Sequence, residues 1–537
     1  MSLYHSTRSH AQACSAKAAI RQGLAPDGGL FVSDALGAEK LDVTGLAEMS
    51  YAQIARAVLG LLLPDYTPDE IAACVDEAYS GTFASDEVTP LVALGERGTS
   101  TAAEAAAGEA ADSSAAAEGA VAEGAGSPAG CYVLELFHGP TSAFKDVALQ
   151  MLPRLMARTS GAGAGAATGS KDVPTERIMI VTATSGDTGK AALAGFADAP
   201  GTGITVFYPE GKVSRVQELQ MTTQEGSNVS VAAVRGNFDD AQSAVKRIFA
   251  DRELAERLAA QGIVLSSANS INVGRLVPQV VYYFAAYAQL LRAGAIEAGE
   301  AVEFCVPTGN FGDVLAGYYA KLLGLPVARL VVASDKNNVL YDFLTTGVYD
   351  RNRPFFTTTS PSMDILISSN LERMLYYLSG GDCELIARLM ADLAETGRFE
   401  VGPELLGRIR EVFACGWADE DQVAEAIADC WRDHGYLIDP HTACGYHVLE
   451  ELEPAEGAAA RVLLSTASPY KFPRAVAEAI GLEVPADDFD CLRTLEEATG
   501  TTAPAQLTAL ETATVRHAAT VDIESMGSFV EEACEKL

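Results

Sequence analysis

Between residues 41 and about 85 apolar side chains recur at helical spacing, Ile54, Val58, Leu61 and Leu62 among them, and predict a small helical N-terminal unit. After Gly130 the pattern changes. Short β-branched runs at 178–182, 204–208, 229–234, 263–265, 302–306, 330–333 and 462–465 read as strands. Between most of them lie stretches of 3.6-residue periodicity, such as 238–249 and 311–323. Strand–helix alternation implies a mainly parallel sheet with helices on both faces. In such sheets a ligand sits where loops leave the carboxyl ends of the strands, so the loops directly after these runs are where chemistry is to be sought.

Two stretches interrupt the pattern. Residues 99–130 are almost wholly Ala, Gly, Glu, Ser and Thr, with Val121 as the one large apolar side chain. Such a stretch cannot bury enough surface to offset its ordering entropy, and it reads as a disordered or weakly helical insertion. Residues 159–172 read as an expanded loop of the same kind. The chain therefore divides into a largely helical N-terminal domain (1–98), the insertion (99–130) and an α/β region (131–537) of two subdomains, the smaller at roughly 145–270. A length of 537 residues accommodates this division and more than one core.

Composition narrows the function classes. Hydrophobic residues make up 48%, which fits an ordinary globular protein. The formal charge is 38 − 72 = −34. A chain this acidic repels nucleic acid and anionic membranes, although a few local cations and backbone N–H groups in a cleft can still hold an anionic substrate. The N-terminus, MSLYHSTRSHAQACS, is polar and lacks a signal-peptide core. The greasiest long stretch, 277–291, is interrupted by Pro278 and Gln279 and is too short to span a bilayer. Ten cysteines without a CxxC pair fit no zinc pattern, and His434, His441 and His447 lack the context of a metal site, so no metal is expected. These features point to a cytoplasmic protein with scattered core thiols.

Two strands run into glycine-rich turns that open helices: IMIVTATSGDTGKAALAGF, with its turn at 184–189, and VEFCVPTGNFGDVLAGYYA, with its turn at 308–313. Glycine lets the backbone pass close to a ligand, and a helix N-terminus offers unpaired N–H groups and partial positive charge. Each turn alone is a weak signal, because such turns also serve packing. The first mimics a nucleotide-binding P-loop through Gly189-Lys190, but the preceding glycine, Gly186, is two positions too close and Ala191 replaces the magnesium-binding hydroxyl. The third element, LELFHGPTSAFKD (134–146), sets Lys145 between a Gly-Pro turn and a helix. A cation is disfavoured at the positive end of a helix, which favours a nucleophilic neutral amine.

LFHGPTSAFKD, TATSGDTGKAA and PTGNFGD together resemble the threonine synthases, of the longer subfamily with an extra N-terminal domain. YHSTR (4–8), GLAPDGGLF (23–31), NSINVGR (269–275), SMDILISSN (362–370) and STASPYKF (465–472) are similar to further motifs of that family, in its order. The resemblance covers nearly the whole chain apart from the two low-complexity stretches. It implies an α/β fold of two doubly wound, mainly parallel sheet domains, the fold type II class of pyridoxal-phosphate enzymes, plus a small helical N-terminal domain.

The same resemblance implies the roles. Lys145 is the lysine that holds pyridoxal 5'-phosphate as a Schiff base. Gly309, Asn310, Phe311, Gly312 and Asp313 hold the cofactor phosphate by backbone N–H groups, with the Asn310 side chain helping. Asp187 faces the phenolic oxygen, its protonation open. Thr466 contacts the pyridine nitrogen, with Ser465 as the neighbouring alternative. Asn269 and Arg275 bind the substrate phosphate, and Thr184, Ser185 and Thr188 flank that pocket. Arg275 suits this role physically, because a guanidinium forks onto phosphate oxygens; the competing reading is a helix-surface ion pair. The implied activity is that of a carbon–oxygen lyase turning O-phospho-L-homoserine and water into L-threonine and phosphate, in a monomer or small homo-oligomer with no nucleic-acid or membrane partner. Two alternatives stay open: a paralogue releasing 2-oxobutyrate and ammonia, and a non-catalytic or nucleotide-binding relative that kept the fold.

Overall fold

The computed structural model describes residues 3–95, 130–159, 176–184 and 186–537. The expectations for 99–130 and 159–172 therefore fall almost wholly outside the described residues.

All seven β-branched runs form strands, and they sort into two sheets. The larger runs in the order Phe413–Trp417, Val327–Ser334, Ala301–Pro307, Ala458–Ser465, Gly130–Glu135, Leu91–Ala93. Its pairings are parallel except the last, where Leu91–Ala93 lies antiparallel on Gly130–Glu135. The smaller is all parallel, in the order Ala519–Asp522, Val229–Arg235, Thr202–Pro209, Arg177–Ala183, Ile263–Ser266. Central strands buried on both faces read as apolar runs, as 204–208 and 302–306 do. The smaller sheet is not confined to 145–270, because Ala519–Asp522 near the C-terminus pairs with Val229–Arg235.

The apolar spacing of the N-terminal region yields helices Tyr51–Leu62 and Pro68–Tyr79. Both start at capping boxes, Ser50 with Gln53 and Thr67 with Glu70, which satisfy the first free N–H groups of each helix. Ile54, Val58 and Leu62 are buried, whereas Leu61 is only half-buried. Burial of each such aliphatic side chain contributes about 1.5–3 kcal/mol, so tertiary packing rather than propensity holds these short helices. The region is less helical than its spacing predicts. Tyr4–Ser6, Ser9–Cys14 and Phe31–Ser33 form an antiparallel three-stranded sheet, too short and too polar to announce itself by alternation.

Helix Val273–Arg292 contains the greasiest long stretch, 277–291, which is too short to span a bilayer. It is buried on nearly all faces, with Pro278 inside it, and packs on helices Lys145–Ala157, Tyr51–Leu62 and Gly312–Leu322. Among the described residues no helix is long and apolar enough to cross a membrane.

Candidate active site

The loops at the carboxyl ends of both sheets meet around one lysine. Lys145 opens helix Lys145–Ala157 and is buried. Its approach is fixed from the neighbouring strand end: Phe144 N–H donates to Thr466 O (2.8 Å), and Ser142 takes a left-handed φ of 56°. Thr141 and Asp146 close the turn, the Thr141 hydroxyl donating to Asp146 Oδ1 at 2.7 Å.

Lys145 Nζ donates to Ser362 Oγ (3.1 Å) and stands 3.8 Å from Asp187 Oδ2. Ser362 Oγ in turn donates to Asp187 Oδ2 at 3.1 Å. Two more lysines share the carboxylate: Lys471 Nζ lies 2.6 Å and Lys190 Nζ 2.9 Å from Asp187 Oδ1. All are buried. Burial alone would raise the Asp187 carboxyl, but Lys190, Lys471 and Lys145 more than offset it and hold it well below the usual carboxylate range. The three ammonium groups thus favour the ionised carboxylate at Asp187. Burial pushes Lys145 down to about 8, with Lys471 and Arg275 adding to the effect and Asp187 opposing it. Burial likewise takes Lys190 to about 7. A cluster of one carboxylate and three ammonium groups holds its protons weakly in a dry site, Lys190 most weakly and Lys145 next, so both are shifted towards the neutral amine.

The two glycine-rich turns flank this cluster. In the first, the Thr184 hydroxyl accepts from Gly186 N–H (3.1 Å) and Gly189 N–H (3.2 Å), and donates to Gly186 O (2.9 Å). Asp187 begins the helix Asp187–Phe196 and Thr188 is half-buried. Ser185 lies outside the described residues. In the second, Phe311 is held left-handed (φ 62°) before helix Gly312–Leu322. The N–H groups of Gly309 to Gly312 donate to no backbone carbonyl among the described residues. Gly309 passes so close to the 362–363 backbone that a Cβ there would stand 3.0 Å from Ser362 O. Asn310 Oδ1 accepts from Ser369 Oγ (3.3 Å), while the Asp313 carboxylate turns to Tyr282 (2.5 Å) and Tyr283 (3.0 Å), burial pushing it up to about 6.

Arg275 lies in the first turn of its helix and is buried, so the surface ion-pair reading does not hold. Nη1 donates to Ala268 O (2.9 Å), but Nε has no hydrogen-bond partner among the described residues. Asn269 is exposed and accepts a long bond from Thr182 Oγ1 (3.4 Å). Ser465 Oγ is engaged with Thr442 Oγ1 (3.1 Å), itself a donor to Asp439, whereas the Thr466 contacts run through its backbone.

The motif reading gave no role to Ser362, Lys471, His441 or Asp439, and weighed Lys190 only as part of a failed P-loop. His441 Nδ1 sits 2.7 Å from Asp439 Oδ1, so Nε2 is free to accept the Ser362 N–H at 3.1 Å. That chain orients the serine lying between Lys145 and Asp187. Ser362 and Lys471 stood inside recognisable motifs, which was the available signal.

Comparison with known proteins identifies the family. A model of pyridoxal-phosphate dependent enzymes matches residues 119–466, one of the threonine synthase N terminus matches 3–79, and one of the threonine synthase C-terminal region matches 442–521. Threonine synthase from Pseudomonas aeruginosa is 36% identical over 478 residues, covering 89% of this chain and 90% of that protein. The chain belongs to the threonine synthase family of pyridoxal-phosphate-dependent enzymes. Threonine synthase from Brucella melitensis, solved with pyridoxal phosphate bound, superposes with a TM-score of 0.80 at 36% identity, covering 99% of this chain and 100% of that one. Human threonine synthase-like 1 is 34% identical over 87% of this chain, which spans 58% of that relative's length.

The residues present fit the family's cofactor. A buried amine, a turn whose N–H groups reach no backbone carbonyl among the described residues, a glycine that a Cβ would block and a buried guanidinium whose Nε has no partner among the described residues are features that suit a phosphorylated aldehyde.

Proposed function

We propose that this protein converts O-phospho-L-homoserine and water into L-threonine and phosphate. The observation that carries the reading is the buried Lys145 amine between two strand-to-helix turns, with the buried Arg275 guanidinium, its Nε without a partner among the described residues, close enough to act on it. Lys145 would hold pyridoxal phosphate covalently, the N–H groups of Gly309 to Asp313 with Asn310 its phosphate, Asp187 its phenolic oxygen and Thr466 its pyridine nitrogen. Thr466 is preferred to Ser465 because the Ser465 hydroxyl is already engaged with Thr442. When bound, the cofactor supplies an electron sink for charge developing at the substrate α carbon.

The chain's own groups do the rest. Lys145, neutral in a good fraction near pH 8, takes the proton from the substrate α carbon and returns it at the end. Asp187, kept ionised, holds the neighbouring ammonium groups in place. Arg275 takes the substrate phosphate, orients its ester bond and receives the leaving anion, with Asn269 and Thr188 as further contacts. Thr184 shapes the pocket wall, since its hydroxyl is committed to the turn. Burial of Lys145, Asp187, Lys190 and Lys471 keeps bulk water from these groups. We place the protein in the cytoplasm as a monomer or small homo-oligomer, a setting in keeping with its ten unpaired cysteines.

The test is incubation of cofactor-loaded protein with O-phospho-L-homoserine, followed by amino-acid and phosphate analysis. Threonine and phosphate in equal amounts are expected. Release of 2-oxobutyrate and ammonia would identify the eliminating paralogue instead.

A further inference from the structure

Each strand of the small N-terminal sheet brings one metal-binding side chain to a common point. His5 lies on Tyr4–Ser6, His10 on Ser9–Cys14, and Asp34 follows Phe31–Ser33 directly. Cys383, the first residue of helix Cys383–Thr396, completes the group, its thiol 3.8 Å from Ser6 O. One ligand atom from each of His5, His10 and Cys383 lies within 4.8 Å of the other two. Asp34 Oδ2 is 3.1 Å from His5 Nε2 and 3.8 Å from His10 Nδ1.

The proton inventory of this cluster does not close. His5 Nδ1 stands 2.8 Å from Ser6 O, an acceptor only, so the ring proton is on Nδ1 and Nε2 presents a lone pair. Tyr376 lies 3.2 Å from that nitrogen, but its single proton is given to Asp34 Oδ1. Nε2 and Asp34 Oδ2 thus face each other as two acceptors. A metal ion between them would take a lone pair from each, and the His10 ring and the Cys383 thiol converge on the same region.

We propose that His5, His10, Asp34 and Cys383 bind one divalent ion of zinc's type and so tie the N-terminal sheet to helix Cys383–Thr396. Tetrahedral bonds of about 2.0–2.3 Å set ligand atoms roughly 3.3–3.8 Å apart, which the two Asp34 distances bracket. Small turns of the exposed His10 ring and of the Asp34 carboxylate complete the set, and their exposure gives the ion a path in. Two imidazoles, a thiolate and a carboxylate select zinc or cobalt over magnesium or calcium. The outer partners exist already: Ser6 O fixes the His5 tautomer, and the Tyr376 hydroxyl holds Asp34. Burial pushes the Cys383 thiol up, so binding releases its proton.

The test uses the full-length, cofactor-loaded protein, stripped with a chelator and titrated with Co²⁺. One ion per chain is expected, with a thiolate-to-cobalt charge-transfer band and tetrahedral visible bands. Cys383→Ser should abolish the charge-transfer band. His10→Asn alters an exposed side chain that the fold does not need, and it should weaken binding by more than about tenfold, a loss that even outer partners cause. Zn²⁺ should raise the melting temperature of the wild type and leave that of H10N unchanged. Absence of stoichiometric Co²⁺ binding, or equal binding by wild type and the H10N/C383S double variant, would overturn the proposal.

Discussion

The turn after strand Arg177–Ala183 and the turn after strand Ala301–Pro307 share one plan: parallel strand, glycine, helix N-terminus. They differ in who satisfies the helix start. In the first, the Thr184 hydroxyl takes up two N–H groups, and Asp187 brings a carboxylate that Lys190 and Lys471 pair. In the second, the N–H groups of Gly309 to Gly312 reach no backbone carbonyl among the described residues, and Asp313 is turned away to two tyrosines. A helix N-terminus is an anion site only where the chain has not already supplied the anion. The first turn thus meets the lysine cluster through Asp187, and the second keeps its N–H groups available to an anion, which is the role proposed for it.

Lys145 stands between the turns, so its loss removes what both serve. Lys145→Ala should fold yet lower kcat/KM by roughly 10³-fold or more, because the general base and the cofactor link go together. Borohydride reduction of the wild type followed by peptide mapping should label Lys145; a label on Lys190 or Lys471 would move the centre towards the first turn. Next in size is Arg275→Ala, which should cost about 2–4 kcal/mol in kcat/KM while cofactor absorbance is retained. Arg275→Lys should rescue it only in part, since a point charge does not fork. Lost cofactor with normal substrate handling would mean that the two phosphate sites are exchanged.

The paired glycine variants sharpen the contrast directly. Gly309→Ala would press on the Ser362 carbonyl and should weaken cofactor binding by about 1–3 kcal/mol, with a smaller fall in the melting temperature of the cofactor-free protein. In Gly189→Ala the new methyl overlaps the Thr184 side chain, so melting should fall by a similar free energy and cofactor affinity should follow only indirectly. The smallest effect concerns pH. Uptake of pyridoxal phosphate by the cofactor-free protein needs a neutral amine, so its rate should rise as pH climbs to about 8 and then level off. An ordinary lysine would keep gaining towards its usual value near 10.4.

The turns and Lys145 were legible in the sequence because strand, glycine and helix signals are local. Strand Phe413–Trp417 was not, since Ala, Cys and Gly in FACGW carry little β signal and only Phe413 is buried. Strand Gly130–Glu135 borders the Ala/Gly-rich stretch, which blurs its start. Ala519–Asp522 joins the smaller sheet across hundreds of residues, and no local pattern encodes that pairing. The same holds for the site. That Asp187 answers to Lys145, Lys190 and Lys471 together is a tertiary fact, and so is the meeting of His5 and His10 with Cys383.

Reaction in ¹⁸O-labelled water tests the central claim most directly. Elimination breaks the carbon–oxygen bond of the ester and water then adds to the β carbon. The account therefore predicts one ¹⁸O in the hydroxyl of threonine and none in the phosphate released with it. Label in the phosphate, with homoserine as the organic product, would mean simple ester hydrolysis and would contradict the assignment of Lys145 and Arg275 to this chemistry.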